Sequence, residues 1–130
     1  INRRSPLTLY KNQAWGVFKQ LNINAMKKAA INFEGKHDFN GFRSIDCQAS
    51  SSIKTIQSCT VKKNKQYIVI NVAAKSFLHS QVRIITGTLV DVGKGKISPT
   101  NIKKIIESKD RSKAGTTAPA HGLYLLKVEY

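Results

Sequence analysis

The sequence predicts an α+β fold, a mostly antiparallel sheet covered on one face by helices. Three observations predict it. Residues 76–96, SFLHSQVRIITGTLVDVGKGK, carry apolar side chains at Leu78, Val82, Ile85, Leu89 and Val92. Those alternating steps of four and three mark one continuous helical face. Residues 52–61 and 66–74 read as two strands joined by a short basic turn, the pattern of an antiparallel hairpin. Residues 24–33 and the segment after Ser98 repeat the helical period. A hairpin and helices of matching amphipathicity then share one core.

Composition bounds the rest. The chain of 130 residues is one domain by length, and its hydrophobic share of 41% suits a packed core. No apolar run approaches the roughly 20 residues that span a membrane, and no signal-peptide pattern is present. The chain opens on Ile1 rather than methionine, which is expected of a fragment or a processed product. Lys and Arg number 22 against 7 Asp and Glu, a net charge of +15. Residues 3–28 and 47–81 hold no acid at all. So one-sided a balance repels itself and serves a polyanionic partner, with nucleic acid the first candidate. A membrane surface ranks second, because no basic amphipathic helix with an aromatic face is present. Cys47 and Cys59 lack CxxC spacing and clustered histidines, which argues against a zinc site. Two thiols fit a reducing compartment, and a Cys47–Cys59 disulfide stays open.

Taken in order, residues 1–15 contain Arg3, Arg4, Pro6 and Lys11 and read as an extended basic segment. The first helix, residues 24–33, aligns Met26, Ala29, Ala30 and Phe33 on a narrow stripe, and Gly35 stops it. Residues 36–45, KHDFNGFRSI, read as a loop in which Phe39 and Phe42 are interleaved with His37, Asp38 and Arg43. That mixture can stack on and pair with a nucleotide, or the two rings can pack the loop onto the core. His37 and Asp38 are adjacent and so point apart, which disfavours acid–base chemistry between them. In the hairpin, Lys62, Lys63, Asn64 and Lys65 form the turn. The second strand, with YIVINVAA, is nearly all apolar and is expected to be central.

The long helix follows, with Ser76 as cap and Gly93 as a left-handed stop. Arg83 is the charge in its middle, with His79 and Gly87 at i−4 and i+4 on the same stripe. Either Arg83 points to solvent, or its planar fork reaches across a cleft toward an anion. Asp91 reads as a surface or dipole-related charge. Gly93-Lys94-Gly95-Lys96 reads as a flexible basic loop without the spacing of a nucleotide P-loop. Ser98 caps and Pro99 opens a further helix, with Ile102, Ile105 and Ile106 inward and Lys103, Lys104, Lys109, Arg111 and Lys113 outward. Residues 110–122, DRSKAGTTAPAHG, read as a long surface loop. Residues 123–130 form a last strand with Tyr124, Leu126, Val128 and Tyr130 on one face. The open sheet face, with the basic loops, is the expected working surface. It should also expose apolar area and promote association.

No Ser/His/Asp, Cys/His or metal constellation is visible, and the seven acids are scattered. Residue chemistry alone therefore reaches a small basic domain that binds nucleic acid. Four stretches go further. SFLHSQVRIITGTLVDVGKGK has an aromatic, a His, VR, an apolar pair, G, L and VG-basic-G. It resembles the helix signature of the A family of tRNA pseudouridine synthases. DRSKAGTTAPAHGLYLLKVEY resembles that family's close, and FEGKHDFNGFR its FxGxHDFxxF stretch. NRRSP at the start is similar to its NRxxP segment. The matches are in order and cover nearly the whole chain.

The resemblance implies a pseudouridine synthase C-terminal-domain-like fold, with residues 1–130 as the C-terminal half of a two-domain enzyme. It implies isomerisation of uridine to pseudouridine at positions 38–40 of the tRNA anticodon stem-loop, in the cytoplasm and without cofactor or metal. The base is flipped out of its stack, an aspartate nucleophile takes part as the N-glycosidic bond breaks, and uracil rejoins the sugar through carbon. That aspartate is expected in an N-terminal half outside this chain, so the fragment alone should be inactive. Arg83 matches the arginine that pairs with the aspartate, and Leu123 the apolar residue that packs against the flipped uracil. Tyr124 and His79 flank the substrate site, and Arg3, Arg4, Arg43, Lys94, Lys96 and Arg111 are the expected RNA contacts. The expected partners are tRNA, the protein's own N-terminal domain and a second copy in a homodimer. From a different class, the charge excess is also met by a non-catalytic basic RNA-binding or ribosome-associated domain.

Overall fold

The computed structural model describes residues 15, 17, 20–44, 51–64 and 67–120. Helix α1 (Ile23–Ile31) leads into strand β1 (Gly35–Asp38), the 3-10 turn Asn40–Phe42, and strands β2 (Ile53–Asn64) and β3 (Tyr67–Ala74). Helix α2 (Gln81–Gly93), the 3-10 turn Pro99–Asn101, helix α3 (Ile102–Ser108) and the 3-10 turn Arg111–Lys113 follow. The sheet runs β1-β2-β3 and is antiparallel throughout. Helix α1 packs on one of its faces against β2, and Ile56, Cys59 and Val61 of β2 share one core with buried residues of all three helices. The expected α+β architecture is thus the observed one.

Helix α1 forms because Asn22 caps it, accepting from the Ala25 N–H at 3.1 Å. It stays because Met26, Ala29 and Ala30 bury its inner stripe. The Asn22 N–H donates to the Gly93 carbonyl at 2.9 Å, joining the start of α1 to the end of α2. A Cβ at Gly93 would meet the Met26 sulfur at 2.8 Å, so Gly93 is small because α1 crosses there. The left-handed stop expected at Gly93 sits two residues later, at Gly95 with φ +84°. The expected flexible loop is an ordered turn. N–H groups of Lys94, Gly95 and Lys96 close on the carbonyls of Val90, Val92 and Asp91.

The expected loop 36–45 contains strand β1, whose residues pair Gly35↔Ile56 through Asp38↔Ile53. Phe39 and Phe42 are fully buried. Phe42 meets Phe33 edge-to-face with ring centroids 5.3 Å apart, and Phe39 at 6.1 Å. The rings pack the core and leave no face for a nucleotide. Pairing in the hairpin runs on through Lys63↔Ile68 to Asn64↔Tyr67, so Lys62, Lys63 and Asn64 are strand rather than turn. A register shift between Ile56 and Ser58 adds one residue to β2, which lets Ile56 and Cys59 both face the core. Among the described residues β2 is the central strand and β3 an edge. One face of β3 lies on the core, while Val69 on the other is 45% exposed. On the open face Val69 alternates with Asn71 and pairs across to Lys62, so apolar area there is interrupted by polar side chains.

Cys59 is a free, buried thiol, while Cys47, the leading basic segment and the final strand lie outside the described residues. The Glu34 carboxylate accepts from the Cys59 N–H at 2.9 Å. Burial, with the Glu34 charge beside it, pushes the Cys59 thiol up to about 12.

Candidate functional site

Helix α2 begins at Gln81, with Ser80 rather than the expected Ser76 at its N-cap position, four residues later than the sequence predicts. Leu78 is buried as expected, but it is reached through a turn, because Ser80 adopts a left-handed backbone with φ 66°. A non-glycine residue there costs about 1–2 kcal/mol and persists only where neighbours fix it. Three bonds fix this one. The Gln81 side-chain carbonyl accepts from the Leu78 N–H at 2.8 Å, and the Gln81 N–H donates to the Leu78 carbonyl at 3.0 Å. The Ser44 N–H donates to the His79 carbonyl at 3.1 Å. Gln81 is wholly buried, and its Nε2 and the Ser44 hydroxyl have no hydrogen-bond partner among the described residues.

His79 therefore lies in the turn, exposed, and not on the helical stripe of Arg83. Half-buried Arg43 neighbours that same turn through Ser44. The structure thus brings Arg43, His79 and Arg83 to the N-terminal end of α2.

Arg83 is half-buried and does not simply point to solvent. Its Nε donates to the Ala118 carbonyl at 2.7 Å, and its own carbonyl accepts from the Ala118 N–H at 3.0 Å. With Nε held, the two Nη groups keep four of the five donors of the fork. Among the described residues no carboxylate pairs with them.

The segment that holds Arg83 was expected as a surface loop. After the 3-10 turn Arg111–Lys113 it runs instead as a strap across α2, with Gly115 and Ala118 buried. The reason is the close approach of two glycines. A Cβ at Gly87 would lie 1.6 Å from the Thr116 carbonyl oxygen, and one at Gly115 would lie 2.5 Å from Thr88 Cα. Polar groups of α2 then bind the strap backbone. The Thr88 hydroxyl accepts from the Gly115 N–H at 2.8 Å and donates to the Ile84 carbonyl at 2.7 Å. Asp91, 8% exposed and so not the expected surface charge, accepts from the Thr116 N–H at 3.4 Å. From the outer side Arg111 donates to the Gly115 carbonyl at 2.8 Å and to the Thr117 hydroxyl at 2.9 Å. Arg111, expected as an RNA contact, is thus a clip on the strap.

Lys94 and Lys96 are not part of this cluster. They follow the C-terminal end of α2, about 15 Å from Arg83 by helical rise. There Lys96, Lys104 and Lys113 line a groove of about 410 Å³ with Ser98 and Asn101. Arg3, Arg4, Leu123 and Tyr124 lie outside the described residues. Asp38 is tied into the fold. Its carboxyl is held below the usual range chiefly by the Ser52 hydroxyl, then by the Asn40 N–H and by Lys109, whose Nζ lies 3.7 Å away. His37 turns its Nε2 to the Glu34 carbonyl at 2.8 Å, away from Asp38. Among the described residues no group of three His, Cys, Asp or Glu could hold a metal, and no helix is long and apolar enough to cross a membrane.

Sequence reading missed Gln81, Thr88, Asp91 and Ala118. The available signal was polarity in the wrong place: Thr88 and Asp91, three apart, interrupt the apolar end of α2 and mark a face that must meet backbone.

Comparison with known proteins bears on the same stretch. The chain is similar to tRNA pseudouridine synthase A of Ehrlichia ruminantium (strain Welgevonden), 52% identical over 130 residues, which are 100% of this chain and 53% of that protein. It is 50% identical to tRNA pseudouridine synthase A of Anaplasma phagocytophilum (strain HZ), over 99% of this chain and 52% of that one. To tRNA pseudouridine synthase A of Wolbachia pipientis wMel it is 46% identical, over 100% and 53%. The chain spans about half the length of the curated relatives it matches. The family model for tRNA pseudouridine synthase matches residues 29–130, a span that takes in the last turn of α1, the sheet, α2, α3 and the strap. With the family model matched over that span and its relatives alike along the whole chain, the chain belongs to the tRNA pseudouridine synthase family.

Proposed function

We propose that this chain is the C-terminal half of an enzyme that isomerises uridine to pseudouridine in the anticodon stem-loop of tRNA, at positions 38–40. The observation that carries the reading is Arg83, held by its Nε with the rest of its fork unmatched by any carboxylate among the described residues. Its partner in this reading is a nucleophilic aspartate of the N-terminal half. A carboxylate in a closed site needs a fixed countercharge to stay ionised. An Arg fork supplies that charge with direction. The bond from N1 to the sugar breaks, uracil turns, and carbon C5 bonds the same sugar carbon. The C5 proton is lost and N1 gains one. Product and substrate are isomers, so the reaction balances without a cofactor.

Leu123 packs against the flipped uracil, with Tyr124 and His79 lining the same site. Arg3, Arg4 and Arg43 contact RNA near it, and Arg111 adds charge beyond its clip. Lys94 and Lys96 hold phosphates farther along the molecule. There a groove lined by three lysines fits a polyanion. The enzyme works in the cytoplasm as a homodimer with RNA across both subunits. No observation favours the non-catalytic RNA-binding alternative over this reading.

The test is release of tritium from tRNA labelled at uridine C5, measured with the whole protein. Arg83→Ala should lower turnover by about two to three orders of magnitude, the scale for a lost transition-state charge partner. Arg83→Lys should stay poor, because a lone ammonium replaces neither the fork nor the Nε bond. Full turnover in Arg83→Ala would sink the assignment.

A further inference from the structure

We infer that residues 115–118 are a positioning strap for Arg83, and that Thr88 is the residue which sets its height over α2. The inference rests on the proposed role of Arg83 and adds how that side chain is aimed. An arginine has a long, rotamer-rich side chain, and fixing it costs conformational entropy. Here the cost falls on folding. Ala118 takes both ends of Arg83, its N–H bonding the Arg83 carbonyl at 3.0 Å and its carbonyl the Arg83 Nε at 2.7 Å. The guanidinium is thereby set before any substrate arrives.

Ala118 can do this only if the strap sits at one height. That height is fixed from below and from outside. From below, Gly87 lets the Thr116 carbonyl come within 1.6 Å of where a Cβ would stand. The Thr88 hydroxyl, wholly buried, pulls on the Gly115 N–H at 2.8 Å and is itself oriented by the Ile84 carbonyl at 2.7 Å. From outside, Arg111 bonds the Gly115 carbonyl and the Thr117 hydroxyl. Thr88 and Arg83 lie five residues apart on one helix, so the strap spans from its anchor to the aimed side chain without leaving α2. A displacement of about 1 Å in a catalytic group can lower a rate by about a hundredfold while leaving remote binding intact.

The test compares Thr88→Val and Thr88→Ser in the whole protein, by single-turnover rate on tRNA and by tRNA affinity. Valine keeps the volume and removes the hydroxyl, and serine keeps the hydroxyl. Thr88→Val should slow the chemical step by about 10- to 100-fold with affinity within about twofold, and Thr88→Ser should return most of the rate. An unchanged rate in Thr88→Val overturns the inference. So does a loss of rate and affinity together, or a serine variant as slow as the valine one, since those mark general damage. If Thr88→Val does not fold, Thr117→Ala, an exposed change on the outer anchor, carries the test. It should slow the step by about threefold or more at unchanged affinity, and no slowing overturns the strap. An active Arg83→Ala protein would overturn the role of Arg83 itself. An inactive Arg83→Ala beside a fully active Thr88→Val would overturn the strap alone.

Discussion

Gly87→Ala separates local propensity from tertiary packing by sign. In an isolated helix the change is favourable by about 1 kcal/mol. In this fold the new Cβ would stand 1.6 Å from the Thr116 carbonyl oxygen. A carbon–oxygen contact needs about 3.3 Å, so the strap must retreat by about 1.7 Å. The bonds that hold it are 2.7 to 3.0 Å long, and such bonds are gone by about 3.6 Å. Three are at risk: Gly115 N–H to Thr88, Ala118 N–H to the Arg83 carbonyl, and Arg83 Nε to Ala118. At about 1 kcal/mol each they outweigh the propensity gain and leave a net loss of about 2 kcal/mol. The assay is native-state hydrogen exchange at the strap amides. A loss of that size speeds exchange of the Gly115 and Ala118 amides about thirtyfold, since each 1.4 kcal/mol is a factor of ten. Slower exchange than wild type, with higher overall stability, would refute the close approach of strap and helix.

Two further predictions concern charge. Cys59 is pushed up to about 12 in the fold from an ordinary 9.0. Its contribution to stability is therefore complete below pH 9 and is lost as pH rises from about 9 through about 12, where only the unfolded thiol ionises. Against a Cys59→Ala variant, wild type should lose about 1.4 kcal/mol per pH unit in that window, as read by denaturant unfolding. A difference that does not change with pH would contradict the buried thiol. At the other end of α2, replacing Lys96, Lys104 and Lys113 together by alanine should weaken tRNA binding. The slope of log affinity against log salt should fall by about 2 to 3, and an unaltered slope would remove the groove from the RNA path.

Much of this protein was legible in its sequence because the signals were local. Met26, Ala29 and Ala30 are buried as their spacing requires and Asn22 caps their helix, while Phe33, expected on the same helix, is buried just past its end. The hairpin followed from two apolar runs and a basic break, and Ile102 and Ile106 face inward as spaced. The motifs around Arg83 identified the family because they are chemistry-bearing residues in fixed order. Periodicity failed where the chain stops being periodic for tertiary reasons. Residues 76–80 keep the spacing of α2 but not its backbone, because Ser80 turns left-handed. The segment 36–38 reads as loop because a strand of four residues is too short to show a period, and only β2 beside it makes it one. Strand β3 reads as central because its residues are apolar, yet which strand is central depends on pairing, and among the described residues β2 has the partners on both sides. Most of all, no pattern reveals that Ala118 lies against Arg83. The two are 35 positions apart, and their meeting depends on missing side chains at Gly87 and Gly115, which only a close approach of two backbones makes meaningful. The sequence named the arginine; the tertiary structure decided where it is aimed, because its direction is set by a carbonyl that only folding brings within reach.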